Sequence, residues 1–164
     1  MASGLLPIAI GEATKSIAVI QQLKKRYKFS VKWGEKTSTD DKMGSIISST
    51  SFRPNLQNIK KNIKKFIGEI KQIPPNFSAI KVNGKRAYML ARNNEDFLLN
   101  ARTVFIESLK INKYIDKDHC SFECVCSKGT YIRALGRDLG DVMNCFGHLY
   151  ELRRTHIGLS LIHI

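Results

Sequence analysis

Carboxylates are scarce in this chain: 164 residues carry 14 Asp and Glu against 27 Lys and Arg, a net charge of +13. A surface so short of acids suits a polyanionic partner, because each phosphate it neutralises releases counterions. A plain solubility surface, or codon bias toward Lys and Asn, gives the same count. Long apolar runs are missing too. Leu5 to Ile10 is far too short to cross a bilayer, so no membrane partner is expected. The four cysteines follow no ligand or disulfide pattern: Cys124 and Cys126 share one strand face, Cys120 and Cys145 stand apart, and no pair of C-x-x-C knuckles exists. Buried, reduced thiols in a cytoplasmic protein are the expectation. His119, His148, His156 and His163 show no ligand spacing, so no metal is expected. The N-terminus lacks the basic lead and length of a secretory signal. Internal repeats and low-complexity segments are absent as well. What remains, 43% hydrophobic and 25% charged, is one globular domain's worth of chain.

Patterning then divides the chain. Leu5–Ile10 suits a buried strand, with Pro7 demoting it to an edge or bulge, and Gly11-Glu12-Ala13-Thr14-Lys15 leads into a helix with Ile17, Ile20 and Leu23 on one face. Tyr27, Phe29, Val31 and Trp33 alternate with Lys28, Ser30 and Lys32, a strand with its rings inward. Residues 34–44 form a polar hairpin loop, and Ile46-Ile47 continues as a short strand. Pro54 is placed to open a helix whose apolar face runs through Leu56, Ile59, Ile63, Phe66 or Ile67, and Ile70, with Lys60, Lys61, Lys64 and Lys65 mostly opposite. Pro74-Pro75 breaks it. Asn83-Gly84 signals a tight turn, followed by a short helix over Tyr88 to Arg92. Between Ile73 and Arg92, Phe77 and Tyr88 mix with Lys81, Lys85, Arg86 and Arg92. Rings interleaved with cations are what looped RNA needs for stacking and phosphate contact; an ordinary surface hairpin fits equally well. Val104 to Tyr114 and Cys120 to Cys126 read as paired strands across the turn Asp116-Lys117-Asp118. Leu149, Leu152 and Ile157 flank Arg153-Arg154, and Leu159 to Ile164 reads as an unfinished strand.

The most informative stretch is Ser127-Lys128-Gly129-Thr130-Tyr131-Ile132-Arg133. It joins the alternating run Cys120, Phe122, Cys124 and Cys126 to helical spacing at Ile132, Leu135, Leu139 and Val142. Thr130 is the candidate N-cap and Gly129 is free to take an unusual conformation. Tyr131 and Arg133 then project from the first helical turn, where free N–H groups favour anions. An ordinary turn with a solvated Arg is the plainer alternative.

Several spaced stretches, taken together, decide between them. Ala2-Ser3-Gly4-Leu5-Leu6-Pro7-Ile8, Gly11 to Lys15, Lys25-Arg26-Tyr27, Ile73-Pro74, Ser78-Ala79-Ile80-Lys81, Ser127 to Arg133, and Leu152-Arg153-Arg154-Thr155 with Gly158 resemble the TruB family of bacterial tRNA pseudouridine synthases in order and separation. The resemblance implies an α+β fold, a mixed and largely antiparallel sheet flanked by helices. It also implies conversion of uridine 55 in the T-loop of tRNA to pseudouridine without metal or organic cofactor. The base must leave the stack to be reached. Tyr27 is implied to pack against it, Tyr131 to line the pocket, and Arg133 to pair with the nucleophilic Asp and hold it ionised. Lys15, Lys81, Lys85 and Arg86 are implied substrate contacts, the last three within an RNA-gripping insertion at about 73–102.

The family's Asp-Pro pair, whose Asp is the nucleophile, is expected just before Met1. Residues 1–164 are therefore expected to be a partial catalytic domain, cut at both ends, without the family's small RNA-binding PUA domain and with an exposed sheet edge that favours oligomers. Smaller departures are Phe77 where Tyr is common, Asn94 in place of Gly, and Thr103 in place of Arg-Pro. Asp40, Asp41 and Asp138 are available carboxylates, but first-contact geometry tolerates errors of only about 0.5 Å, which argues against substitution. A catalytically inactive tRNA-binding remnant is the alternative function. A basic, ribosome-associated structural protein explains the charge but none of the motifs.

Overall fold

The computed structural model describes residues 2–158 and 160–161. Its frame is a sheet in the order β1-β10-β2-β9-β8-β5, with β11 paired to the far end of β10. These strands are Ala2–Gly4 (β1), Lys25–Trp33 (β2), Gly68–Gln72 (β5), Arg102–Tyr114 (β8), His119–Cys126 (β9), Gly147–Ile157 (β10) and Ser160–Leu161 (β11). Every pairing is antiparallel except β1 with β10. Two small ribbons complete the strands: Glu35–Thr37 (β3) with Ile46–Ser49 (β4), and Lys81–Val82 (β6) with Lys85–Arg86 (β7). The helices are Ile17–Gln22 (α1), Leu56–Ile63 (α2), Ala87–Arg92 (α3) and Ile132–Val142 (α4), with 3-10 turns at Gly11–Ser16 and Lys64–Phe66. The mixed, largely antiparallel sheet flanked by helices is the architecture expected from the sequence.

Period-two patterning builds the core. Cys120, Phe122, Cys124 and Cys126 are all buried along β9, and Phe29, Val31 and Trp33 are buried beside them on β2. Phe122 stacks on Phe29 at 5.3 Å between ring centroids and meets Trp33 edge-on at 6.2 Å. Each large apolar side chain removed from water contributes roughly 1.5–3 kcal/mol. Leu135 and Leu139 of α4 cover this face and are likewise fully buried. The four cysteines are free and buried, as expected. Helix α4 lies so close to the start of β10 that a Cβ at Gly140 would stand 2.5 Å from the Gly147 nitrogen.

Three expectations fail locally, and a fourth holds only in part. Leu5–Ile10 forms no strand: Leu6, Ile8 and Ile10 are 70%, 78% and 82% exposed. Pro7 has no N–H for a ladder, and only Leu5 is tied to the sheet, donating its N–H to the Arg154 carbonyl. The helix after Gly11 forms but buries none of its residues. Pro54 does not open α2; Asn55 is its N-cap and accepts from the Asn58 N–H, while Pro54 is buried just outside the helix. The same helix stops at Ile63, short of Ile70. Gly68 at φ +98° turns the chain, and Ile70 lies in β5 opposite Val104. Of the closing run 159–164, only Ser160–Leu161 falls within the described residues, as a strand. No helix among the described residues is long and apolar enough to cross a membrane.

Candidate active site

Tyr27 sits on a central strand, opposite Cys124 on one side and Arg154 on the other. Period-two geometry places its ring on the face of Phe29 and Val31, at the end of the core. Burial pushes the hydroxyl's pKa up, and the neighbouring Arg154 guanidinium opposes that rise. The phenol is therefore neutral. Arg154 also donates from Nε to the Leu5 carbonyl at 2.8 Å, tying the segment after β1 to this edge of the sheet.

The turn before α4 is built on Gly129 at φ +79°, with Ser127 joined to Phe105 of β8 through both backbone and side chain. The N-cap is Tyr131, not Thr130. Thr130 stands one residue before the cap and donates its hydroxyl back to the Ser127 carbonyl at 3.0 Å. Nor does the Tyr131 N–H face outward for an anion, because it donates to Oε1 of buried Gln72 at 2.8 Å.

Arg133 lies in the first turn of α4 as expected. Its Nη1 donates to the Thr39 carbonyl at 3.0 Å and reaches Oδ2 of Asp41 at 3.5 Å, while Nη2 donates to the Phe77 carbonyl at 2.8 Å. The other carboxylate oxygen of Asp41 accepts from the Thr39 hydroxyl and the Met43 N–H. One turn later, Arg137 donates to Asp40 at 2.8 Å, to Asp138 at 2.9 Å and to the Ile73 carbonyl at 2.7 Å. Burial raises the Asp40 pKa, and Arg137 opposes that rise. Burial also works against the charge on Arg137, but Asp40 and Asp138 overcome it and raise its pKa. A guanidinium that never deprotonates, 2.8 Å from the carboxylate, holds the couple as an ion pair. Asp40 and Asp138 are thus engaged by Arg137, and the carboxylate at Arg133 is Asp41.

The expected substrate contacts fall in two places. Lys81, Lys85 and Arg86 share one exposed hairpin, turned by Asn83 and Gly84 at φ +48° and +84°, the two left-handed residues that a type I′ turn requires. The Ala87 and Tyr88 N–H groups bond to the Ile80 and Ser78 carbonyls, so the hairpin is continuous with the segment that Arg133 touches at Phe77. Lys85 pairs loosely with Glu95 at 3.4 Å, and Arg86 donates to the Ala79 carbonyl. Lys15 is not part of this group; it lies on the first 3-10 turn, paired with Glu12. Among the described residues no hydrogen bond links Arg133 to Tyr27 or Tyr131, and no cluster of three His, Cys, Asp or Glu could hold a metal. The position expected for the nucleophile, before Met1, lies outside the described residues. A cavity of about 510 Å³ opens beside Asp40, Arg137 and Asp138, lined also by Lys36 and Lys71; it includes none of Tyr27, Tyr131 and Arg133. Sequence reasoning missed Gln72 and Arg137, and it named Arg154 only within the stretch Leu152–Thr155, without a role at the site. Of the two missed residues Arg137 carried a signal, since its spacing of four from Arg133 puts both on one helix face.

Comparison with known proteins gives three findings. The model of the TruB family pseudouridylate synthase N-terminal domain matches residues 1–132, which include Tyr27 and Tyr131 and stop one short of Arg133. The chain is 46% identical over 158 residues to tRNA pseudouridine synthase B of Nitrobacter winogradskyi, covering 96% of this chain and 44% of that protein. It is 48% identical over 157 residues to the Bartonella henselae protein of the same name, covering 96% and 49%. The chain thus spans about half the length of the curated relatives it matches. Among solved structures, a Cbf5-Nop10-Gar1 complex superposes with a TM-score of 0.69 at 23% identity, covering 97% of this chain and 39% of that one. An H/ACA RNP bound to a substrate RNA containing 2'-deoxyuridine superposes at 0.66 with 22% identity, covering 96% and 35%. These two establish a shared fold.

Proposed function

Because the chain belongs to the TruB family of pseudouridylate synthases, we propose that it serves the conversion of the T-loop uridine at position 55 of tRNA to pseudouridine in the cytoplasm. The reaction is an isomerisation. The bond from N1 of uracil to the ribose breaks, the base turns, C5 takes the place of N1, and the C5 proton is released while N1 gains one. No electron is gained or lost.

The observation that carries this reading is Arg133, presented from the start of α4 with a carboxylate and two carbonyls around it. Those acceptors fix the plane of the guanidinium, and a fixed guanidinium can hold an incoming carboxylate ionised and aimed. Tyr27 supplies a neutral ring at the end of the core against which an extruded base can stack. The segment at about 73–102, with Lys81, Lys85 and Arg86 exposed on its hairpin, grips the T-arm through its phosphates. Lys15 contacts the same RNA from the N-terminal turn, and Tyr131 lines the base pocket.

The test follows from the lost C5 proton. T-arm RNA carrying tritium at C5 of its uridines is incubated with the protein purified from its own cells, and released tritium is counted. Release equivalent to one uridine per RNA, abolished when the position-55 uridine is replaced by cytidine, is expected. RNA binding without release overturns the enzymatic reading.

A further inference from the structure

Arg133 is held mainly by groups that are themselves on loops. Two of its three acceptors are backbone carbonyls, of Thr39 and Phe77, and its carboxylate partner is 3.5 Å away. The aim of Arg133 is therefore only as good as the positions of residues 39–41 and 77. Arg137 grips the same two segments from one turn further along the same helix face, at Asp40 and at the Ile73 carbonyl. In this ion pair the side chains are 15% and 11% exposed, so water screens it little.

Each grip lies where it controls a contact of Arg133. Asp40 separates Thr39 from Asp41 and stands at φ +58°, a conformation that costs a non-glycine residue free energy and persists only when its surroundings enforce it. Its backbone is fixed by the Leu149 N–H bonding to its carbonyl, and its side chain by Arg137. Between Ile73 and Phe77 run Pro74 and Pro75, both fully buried, whose φ angles are locked and which restrict the residue before them. Anchoring the Ile73 carbonyl therefore restricts, through this stiff link, where the Phe77 carbonyl can stand.

We infer that Arg137 is a positioning residue that clasps residues 39–41 to residues 73–77 and so sets the direction of the Arg133 guanidinium. The inference rests on the reading of Arg133 as part of the uridine-isomerising site. Asp40 is its necessary partner, and Asp138 orients the Arg137 fork from within α4.

Removing Arg137 alone leaves buried carboxylates unpaired and can unfold the protein. The informative variant is therefore the double change Arg137→Gln with Asp40→Asn, neutral but still able to hydrogen-bond, beside the conservative Arg137→Lys. Without RNA, amide exchange over 39–43 and over 76–78 is expected to rise together by about tenfold or more, while β9 is unchanged. With tritiated T-arm RNA, the single-turnover rate is expected to fall about 10- to 100-fold at unchanged RNA affinity, since small misplacements of a catalytic group cost that much. Arg137→Lys, which keeps the charge but not the fork, recovers part of the rate. Exchange that rises in one segment only, or in neither, overturns the clasp. A rate loss that merely tracks a lower melting temperature also overturns it. A wild-type protein that releases no tritium sinks the functional reading instead, and the exchange result then decides the clasp by itself.

Discussion

The two arginine-bearing regions of this molecule are built on opposite principles. Along α4, Arg133 and Arg137 are largely buried, and each donates to acceptors on segments far away in the chain. On the β6–β7 hairpin, Lys81, Lys85 and Arg86 are exposed and hold at most a loose ion pair or a local carbonyl. Geometry defines the first region and charge the second. A function that depends on direction is sensitive to a single atom, whereas one that depends on summed charge loses a little with each residue removed.

Arg133→Lys should break this contrast most sharply: it keeps the charge and loses the planar fork, and turnover is expected to fall roughly 10²- to 10³-fold. RNA affinity, measured by filter binding, should change little; an equal loss in binding would make Arg133 just another cation. Next comes the scaffold of the first region. Gly140→Ala forces a Cβ against the Gly147 nitrogen and the Cys145 carbonyl, and overpacking of this kind costs about 1–3 kcal/mol, visible as a lower thermal midpoint. An unchanged midpoint would mean that α4 can slide on β10. Smaller and graded, each of Lys81→Ala, Lys85→Ala and Arg86→Ala should lower RNA affinity and reduce the slope of log affinity against log salt by up to about 0.7–0.9. A slope unaffected in all three would remove the hairpin from the RNA interface.

The smallest effect concerns stability against pH. His148 is buried, its Nδ1 faces the Glu35 carbonyl at 3.1 Å, and burial lowers its pKa from 6.5. As pH falls through 6.5 the unfolded chain takes up this proton before the folded one does, so stability drops with acidification. His148→Gln should flatten that part of the stability–pH curve; an unaltered curve would assign the slope to other groups.

How far all this could be read beforehand differs by element. The alternation in Cys120–Cys126 and in Tyr27–Trp33 specifies its own buried face, and both strands stand where it puts them. The Asn83-Gly84 turn is equally local. The apolar run Leu5–Ile10 misled because apolar character records only a capacity for burial, and the strand also needs N–H groups and a neighbour along its whole length. The helix over Leu56–Ile63 was extended too far because Ile70 fits a helical spacing as well as a strand, and Gly68 decided the matter through its backbone. At the site, Arg133 was visible from its place after a strand-to-helix turn. Its acceptors were not, being 94, 92 and 56 residues distant in sequence.

By itself, then, the order of residues determined the family through the resemblance of its spaced stretches, the cationic character through composition, and the central strands, α4 and the tight hairpin through short-range periodicity and turn chemistry. Tertiary structure alone decided which carboxylate meets which arginine, that Gln72 takes the Tyr131 N–H, and that the N-terminal apolar residues stay exposed. Those outcomes depend on distances between segments far apart in the chain, and no local pattern encodes a distance.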